Sequence, residues 1–141
     1  MNKFIGNWKL KSWIAQQGND ITYPFGKNPS GYISYFADRL MIVVIMRDIK
    51  DIPTMFSTND PLKATDQEKI ISFQSYLSYW GSFNIDEKSQ IITHKLEGCS
   101  FPHWIGTEQK RNFEFRDNLL LLSTKVESTQ HVLTWEKRGA E

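Results

Sequence analysis

Short runs in which apolar and polar residues alternate, each closed by a cluster of turn-forming residues, recur along this chain from Gly6 to Lys137. A period of two fits a half-buried β-strand and does not fit a helix, whose apolar residues return every three or four positions. Gly6 to Gln17 alternates around Trp8, Leu10, Ser12 and Ile14, with Asn7, Lys9 and Lys11 between them, and reads as a long first strand. Gly18-Asn19-Asp20 is a turn signal, and Pro24, Gly26, Asn28, Pro29 and Gly31 make an irregular connection. Tyr32 to Phe36 is a second strand and Leu40 to Arg47, apolar on both faces, a third, with a tight hairpin at Asp38-Arg39. Tyr79 to Ile85, Gln90 to Glu97, Glu108 to Arg116, Leu119 to Val126 and Gln130 to Lys137 complete the set.

One stretch breaks the pattern. Thr65-Asp66-Gln67-Glu68 spells a capping box, in which the Thr65 hydroxyl takes the Glu68 amide and the Glu68 side chain reaches back. Ile70, Phe73 and Leu77 follow at helical spacing, so a helix is expected over about Asp66 to Ser78, between the third and fourth strands. About eight strands in meander order can close an up-and-down antiparallel barrel with a ligand-sized interior. Closure also removes the exposed edges that so strand-rich a chain would present. The expected fold is therefore all-β, one domain over residues 1–141, with no internal repeat or linker.

Composition narrows the function classes. Lys plus Arg is 17 against 16 Asp plus Glu, a net charge of +1 without long blocks of one sign. Such a chain has no electrostatic footprint for nucleic acid or an anionic membrane. The longest apolar run, Leu40 to Met46, is too short to span a bilayer. The N-terminal residues lack a signal-peptide core, and the single Cys99 excludes an internal disulfide. A cytoplasmic, soluble monomer or homodimer is the expectation. The chain carries five Trp, five Tyr and nine Phe, which suit strands and apolar pockets alike.

Several segments carry a resemblance: Gly6-Asn7-Trp8, the Pro24 to Tyr32 turn, Tyr79-Trp80-Gly81 after the helix, His94, the run Pro102 to Arg111, and the Trp135-Glu136-Lys137-Arg138 ending. Together they resemble the lipocalin-like domain family of small bacterial and fungal calycin-type proteins, over nearly the whole chain. The resemblance implies a closed barrel whose first-strand Trp plugs one end. A terminal cation would lie over the Trp8 ring, a contact worth about 1 kcal/mol. Lys137 stands where the family tends to place an Arg and Arg138 follows it, so either can supply that cation. Asp38-Arg39 replaces the Asp-Gly usual in the second hairpin.

Alternation also sorts the interior. After Gly106, Gln109, Arg111, Phe113 and Phe115 share one face, and Glu108, Lys110, Asn112 and Glu114 the solvent face. On the preceding strand Ile92, His94 and Leu96 share a face. An inward Arg must be paired or solvated, since an uncompensated buried charge costs several kcal/mol, and the inward sets offer no obvious carboxylate. The implied interior is a wet cup with apolar walls, in which His94, Gln109 and Arg111 orient a ligand. Trp104 lines or plugs its mouth, and Tyr79, Tyr35, Phe83, Phe113 and Met46 supply core or cavity wall. His131 is read as exposed at a strand start. His94 and His103 lack a third ligand at a recognised offset, so no metal is expected, and no cofactor fingerprint is present. The expected activity is binding of a small, mostly apolar molecule with a carboxylate or carbonyl. The alternative is a cofactor-independent cyclase, isomerase or hydro-lyase with His94 as acid or base and Arg111 stabilising an enolate or carboxylate.

Overall fold

Each alternating run pairs with the next by short turns, and the last run returns to the first. A computed structural model describes residues 3–139. It contains nine strands: β1 (Gly6–Gln17), β2 (Asp20–Thr22), β3 (Ser30–Tyr35), β4 (Leu40–Met46), β5 (Tyr76–Asp86), β6 (Ile91–Cys99), β7 (Glu108–Arg116), β8 (Leu119–Val126) and β9 (Thr129–Lys137). One helix, α1 (Asp66–Gln74), and three single 3-10 turns make up the rest. β1 and β3 to β9 follow one another antiparallel, and β9 pairs back onto β1 from Trp8↔Lys137 to Gln16↔Gln130. That closes a barrel of eight strands, with β2 an outer ribbon on the end of β1.

The helix position needs correcting. α1 lies between the fourth and fifth strands, because Asp20–Thr22, expected as turn and irregular chain, forms a strand of its own. It also ends at Gln74 rather than Ser78. The capping box forms as expected, with Glu68 N–H donating to Thr65 Oγ1 (3.2 Å) and Thr65 N–H to Glu68 Oε1 (2.9 Å). At the other end, Tyr76, Leu77 and Ser78 pair with Met46, Ile45 and Val44 across β4. Seven ladder positions on β5 outweigh the extra helical turn that Leu77 suggested. α1 buries none of its residues, so it rests on the barrel rather than in the core.

The first strand differs more consequentially. A β-bulge between Leu10 and Ser12 inserts one residue opposite β9. Side chains on a strand alternate faces, so one inserted residue exchanges them. Trp8 and Leu10 point inward as expected, but beyond the bulge Trp13 and Ala15 take the inner face in place of Ser12 and Ile14. On its other edge β1 pairs with β3 over Gly6–Lys9 and with β2 over Ala15–Gln17.

One end of the barrel is sealed by rings. Phe4 stands edge-on to Tyr35, Phe113 and Phe115, at 5.4, 4.9 and 4.9 Å between centroids. Trp8 closes beneath them, its indole N–H donating to Phe4 O (2.9 Å). The cation over Trp8 is Lys137, its Nζ 4.7 Å from the ring centre, and its ammonium also donates to Ile5 O. Arg138 lies instead over Tyr32 (5.3 Å). Gly6 allows this closure: it sits at φ +129°, and a Cβ there would come within 2.6 Å of Lys137 Nζ. Among the described residues no helix is long and apolar enough to cross a membrane.

Candidate ligand cavity

Away from the ring-sealed end, the inner faces of the strands enclose a cavity of about 250 Å³. Its walls are apolar: Ile33 of β3, Val43 and Ile45 of β4, Leu122 of β8, and Leu133 and Trp135 of β9. Trp104, from the 3-10 turn Pro102–Trp104 between β6 and β7, also lines it. Val126 lines it while remaining 56% exposed, which marks where the cavity meets solvent.

The polar groups come from several strands. His94 on β6 stands opposite Phe83 of β5 and Gln109 of β7 and is 1% exposed. Both its ring nitrogens are taken: Nε2 is hydrogen-bonded to Tyr35 Oη (2.7 Å) and Nδ1 to Tyr79 Oη (3.0 Å). Burial, and after it the charge of Arg111, push the imidazole down to about 3, so it is neutral at physiological pH. Burial raises the Tyr79 hydroxyl and takes that of Tyr35 well above its ordinary value, with Arg111 opposing the rise in both. Both tyrosines are therefore neutral hydrogen-bonding groups.

Arg111 on β7 lines the cavity half-buried. Its guanidinium donates to the neighbouring Lys110 carbonyl (3.0 Å). Among the described residues no carboxylate lies within ion-pair distance of it. His131 on β9 also lines the cavity, which corrects its reading as an exposed residue. The Trp13 indole N–H donates to His131 Nδ1 (3.1 Å). Burial and then Arg111 lower the His131 pKa. Among the described residues, Trp135 Nε1 is the one buried side-chain polar atom without a hydrogen-bond partner.

Of the residues expected at the site, His94, Arg111, Trp104 and Tyr79 line the cavity. Tyr35 stands behind His94 and is 1% exposed. Four others lie elsewhere. Gln109 faces inward but spends its amide on Thr107 Oγ1 (2.8 Å). Phe83 packs edge-on against Tyr35 (4.8 Å) in the core. Phe113 belongs to the sealing cluster, one inward position deeper than Arg111. Met46 is on the outer face of β4, against Ile71 and Tyr76 in a surface groove.

Of the cavity residues that sequence reasoning did not place there, His131 and Trp13 are the most instructive. His131 was discoverable: the steps His131, Leu133, Trp135 keep period two with the buried Trp135. Trp13 was not, since its inward turn depends on the β1 bulge. The acid–base alternative meets an obstacle here. A general base must reach the proton it takes, and each nitrogen of His94 already holds a tyrosine hydroxyl. Among the described residues no cluster of three or more His, Cys, Asp or Glu could hold a metal ion.

The pattern of the lipocalin-like domain family matches residues 5–138. The 4'-hydroxy-3'-methoxypropiophenone carrier protein of Aspergillus oryzae is 33% identical over 69 residues, 45% of this chain and 62% of that protein. The chain thus spans under two thirds of that relative's length. Crystal structures of the fluorescent protein UnaG, a point mutant and the wild type, align over 97% and 96% of this chain and 97% and 98% of theirs. Their identities are 14% and 15%, with TM-scores of 0.43 and 0.42, too distant to inform the site.

Proposed function

The chain belongs to the lipocalin-like domain family, and on that footing we propose that its barrel binds a small, mostly apolar molecule bearing a carboxylate or carbonyl oxygen. The observation that carries the reading is Arg111, a cation lining an apolar cavity with no carboxylate beside it among the described residues. A fixed positive charge in such surroundings is stabilised by an anionic or strongly accepting partner. The walls supply affinity through buried area, and the few polar groups supply orientation. The name of the Aspergillus oryzae relative, a carrier for an aromatic ketone, is in keeping with this chemistry. Binding without turnover is the simpler reading, because His94 has no free ring nitrogen. The free thiol of Cys99, with no partner for a disulfide in the chain, suits a cytoplasmic setting.

The test is Arg111→Leu, titrated with aryl carboxylates by calorimetry. Hydrogen bonds to charged groups contribute about 1.5–3 kcal/mol, so carboxylate affinity is expected to drop by roughly 10- to 100-fold, with the fold intact. Unchanged affinity in a folded variant would remove Arg111 from the site and the proposal with it.

A further inference from the structure

The hydrogen-bond chain behind the cavity dictates where its protons sit, and so what chemistry the cavity can accept. Tyr35 is 1% exposed, and its hydroxyl has His94 Nε2 as its one partner among the described residues. If Tyr35 accepted a proton from that nitrogen, its own O–H would be buried without an acceptor, an arrangement proteins avoid. Tyr35 therefore donates, Nε2 is the bare nitrogen, and the neutral ring carries its proton on Nδ1. That N–H points to Tyr79 Oη. Tyr79, its oxygen already accepting, has no protein acceptor for its own O–H among the described residues, and the residue lines the cavity.

The same logic holds on β9. An indole N–H can only donate, so His131 Nδ1, which receives the Trp13 N–H, is bare, and the neutral ring carries its proton on Nε2. No protein acceptor takes that N–H among the described residues. The guanidinium of Arg111, at the cavity wall, donates by nature, whereas the indole N–H of Trp135 is buried without a partner and does not face the cavity. Among the polar side chains lining the cavity, the acceptors left are the Thr124 hydroxyl and the second lone pair of Tyr79 Oη.

We propose that Tyr35 and Trp13 act as positioning residues that lock His94 as its Nδ1–H tautomer and His131 as its Nε2–H tautomer. The cavity then offers a set of donors around one cation, selective for a small aryl-alkyl carboxylate in its ionised form. Neutral amides are held more weakly, and amines are rejected. This rests on the binding function proposed above and deepens it. An amine would meet Arg111 as a like charge and find few acceptors, whereas a carboxylate has four lone-pair sites for donors to fill.

The tautomers are measured first, on unliganded protein, by long-range ¹⁵N–¹H correlation of the histidine rings. The expected result is a protonated Nδ1 for His94 and a protonated Nε2 for His131. The opposite tautomer at either ring, or an imidazolium at pH 7, overturns the proposal whatever the protein binds. The second arm titrates 3-phenylpropanoate, 3-phenylpropanamide and 3-phenylpropylamine into the wild type, Tyr79→Phe and Tyr35→Phe. The wild type is expected to prefer the carboxylate to the amide by at least tenfold and to show no amine binding. Tyr79→Phe should lower carboxylate affinity about tenfold. Tyr35→Phe, which touches no ligand, should lower it severalfold and give mixed tautomers at His94. The double variant should be no weaker than Tyr79→Phe alone, because both changes remove one donated proton. Additive losses, or a Tyr35→Phe that binds like wild type, would overturn the positioning role. With the tautomers as assigned and none of the three probes bound, the binding function fails instead.

Discussion

At the Trp8 end of the barrel every aromatic ring has a ring or a cation against it, and Lys137 spends its ammonium on Trp8 and the Ile5 carbonyl. At the His131 end, and among the described residues, Arg111 has the Lys110 carbonyl but no carboxylate, the outer nitrogen of His131 has no protein partner, and the Trp135 indole N–H is unpaired. Both ends are built from the same strands by the same alternation. The difference teaches where each part of the sequence is spent. One end is closed with matched partners and contributes stability. The other is left unmatched and, in the binding function proposed above, would supply selectivity, since a polar group without a partner favours whatever ligand supplies one.

The contrast can be broken by mutation, most forcefully at the sealed end. Trp8→Ala removes a ring that is 3% exposed, so chemical denaturation should show a loss of about 3–5 kcal/mol. Arg111→Leu, at the open end, should leave stability within about 1 kcal/mol of wild type or raise it, because a half-buried unpaired charge is removed. Equal losses from the two variants would erase the distinction between the ends.

Acid offers a middle-sized test. The folded-state pKa of His94 is depressed from 6.5 to about 3, so below 6.5 the unfolded chain takes up a proton that the folded one refuses. Stability is then complete above pH 6.5 and is lost as pH falls toward 3. Between pH 6.5 and 5, before most carboxylates titrate, the loss should reach about 2 kcal/mol at a slope of up to 1.4 kcal/mol per unit. His131, shifted in the same direction, adds to it. His94→Gln keeps a donor and an acceptor for the two tyrosines, and its urea-unfolding curves should lose most of that slope. A slope that survives the substitution would locate the acid sensitivity elsewhere.

The smallest effect belongs to neither end. α1 buries nothing, and Ile70 and Phe73 on it are 48% and 54% exposed. Thr65→Ala breaks the capping box, yet global stability should move by less than about 1 kcal/mol. Hydrogen exchange should be faster across residues 66–74 than in the barrel strands, and faster still in the variant. Exchange as slow in α1 as in β5 would show the helix to be part of the cooperative core.

Where partners are local, residue order alone exposed the architecture. Glu108 to Arg116 alternates without interruption, and both the strand and the inward turn of Arg111 followed from it. His94 was legible for the same reason, between the buried Ile92 and Leu96. Trp13 was hidden by a bulge that only the register with β9 reveals. Leu77 fits a helical stripe as well as a strand, and the choice is made by β4, some thirty residues earlier. His131 was discoverable through its spacing from Trp135, although the strand around it shows little contrast. Eight of the nine residues of β9 are neither fully buried nor fully exposed, and the contrast that marks an inner face is muted there.

The divided pairing of β1 has a kinetic consequence. Its ladder with β3 stops at Lys9 and its ladder with β2 begins at Ala15. The intervening wall, which includes Trp13, is covered on the inside edge by side chains: the Phe25 ring lies 4.9 Å from Trp13, and Arg47 lies 4.9 Å over Phe25. Swinging those side chains aside ruptures no β1–β3 or β1–β2 ladder bond. Local opening along this seam therefore asks for the rotamers of Phe25 and Arg47, and the Arg47 hydrogen bonds to Pro24 O and Gln74 O, to give way, and not for the separation of strands.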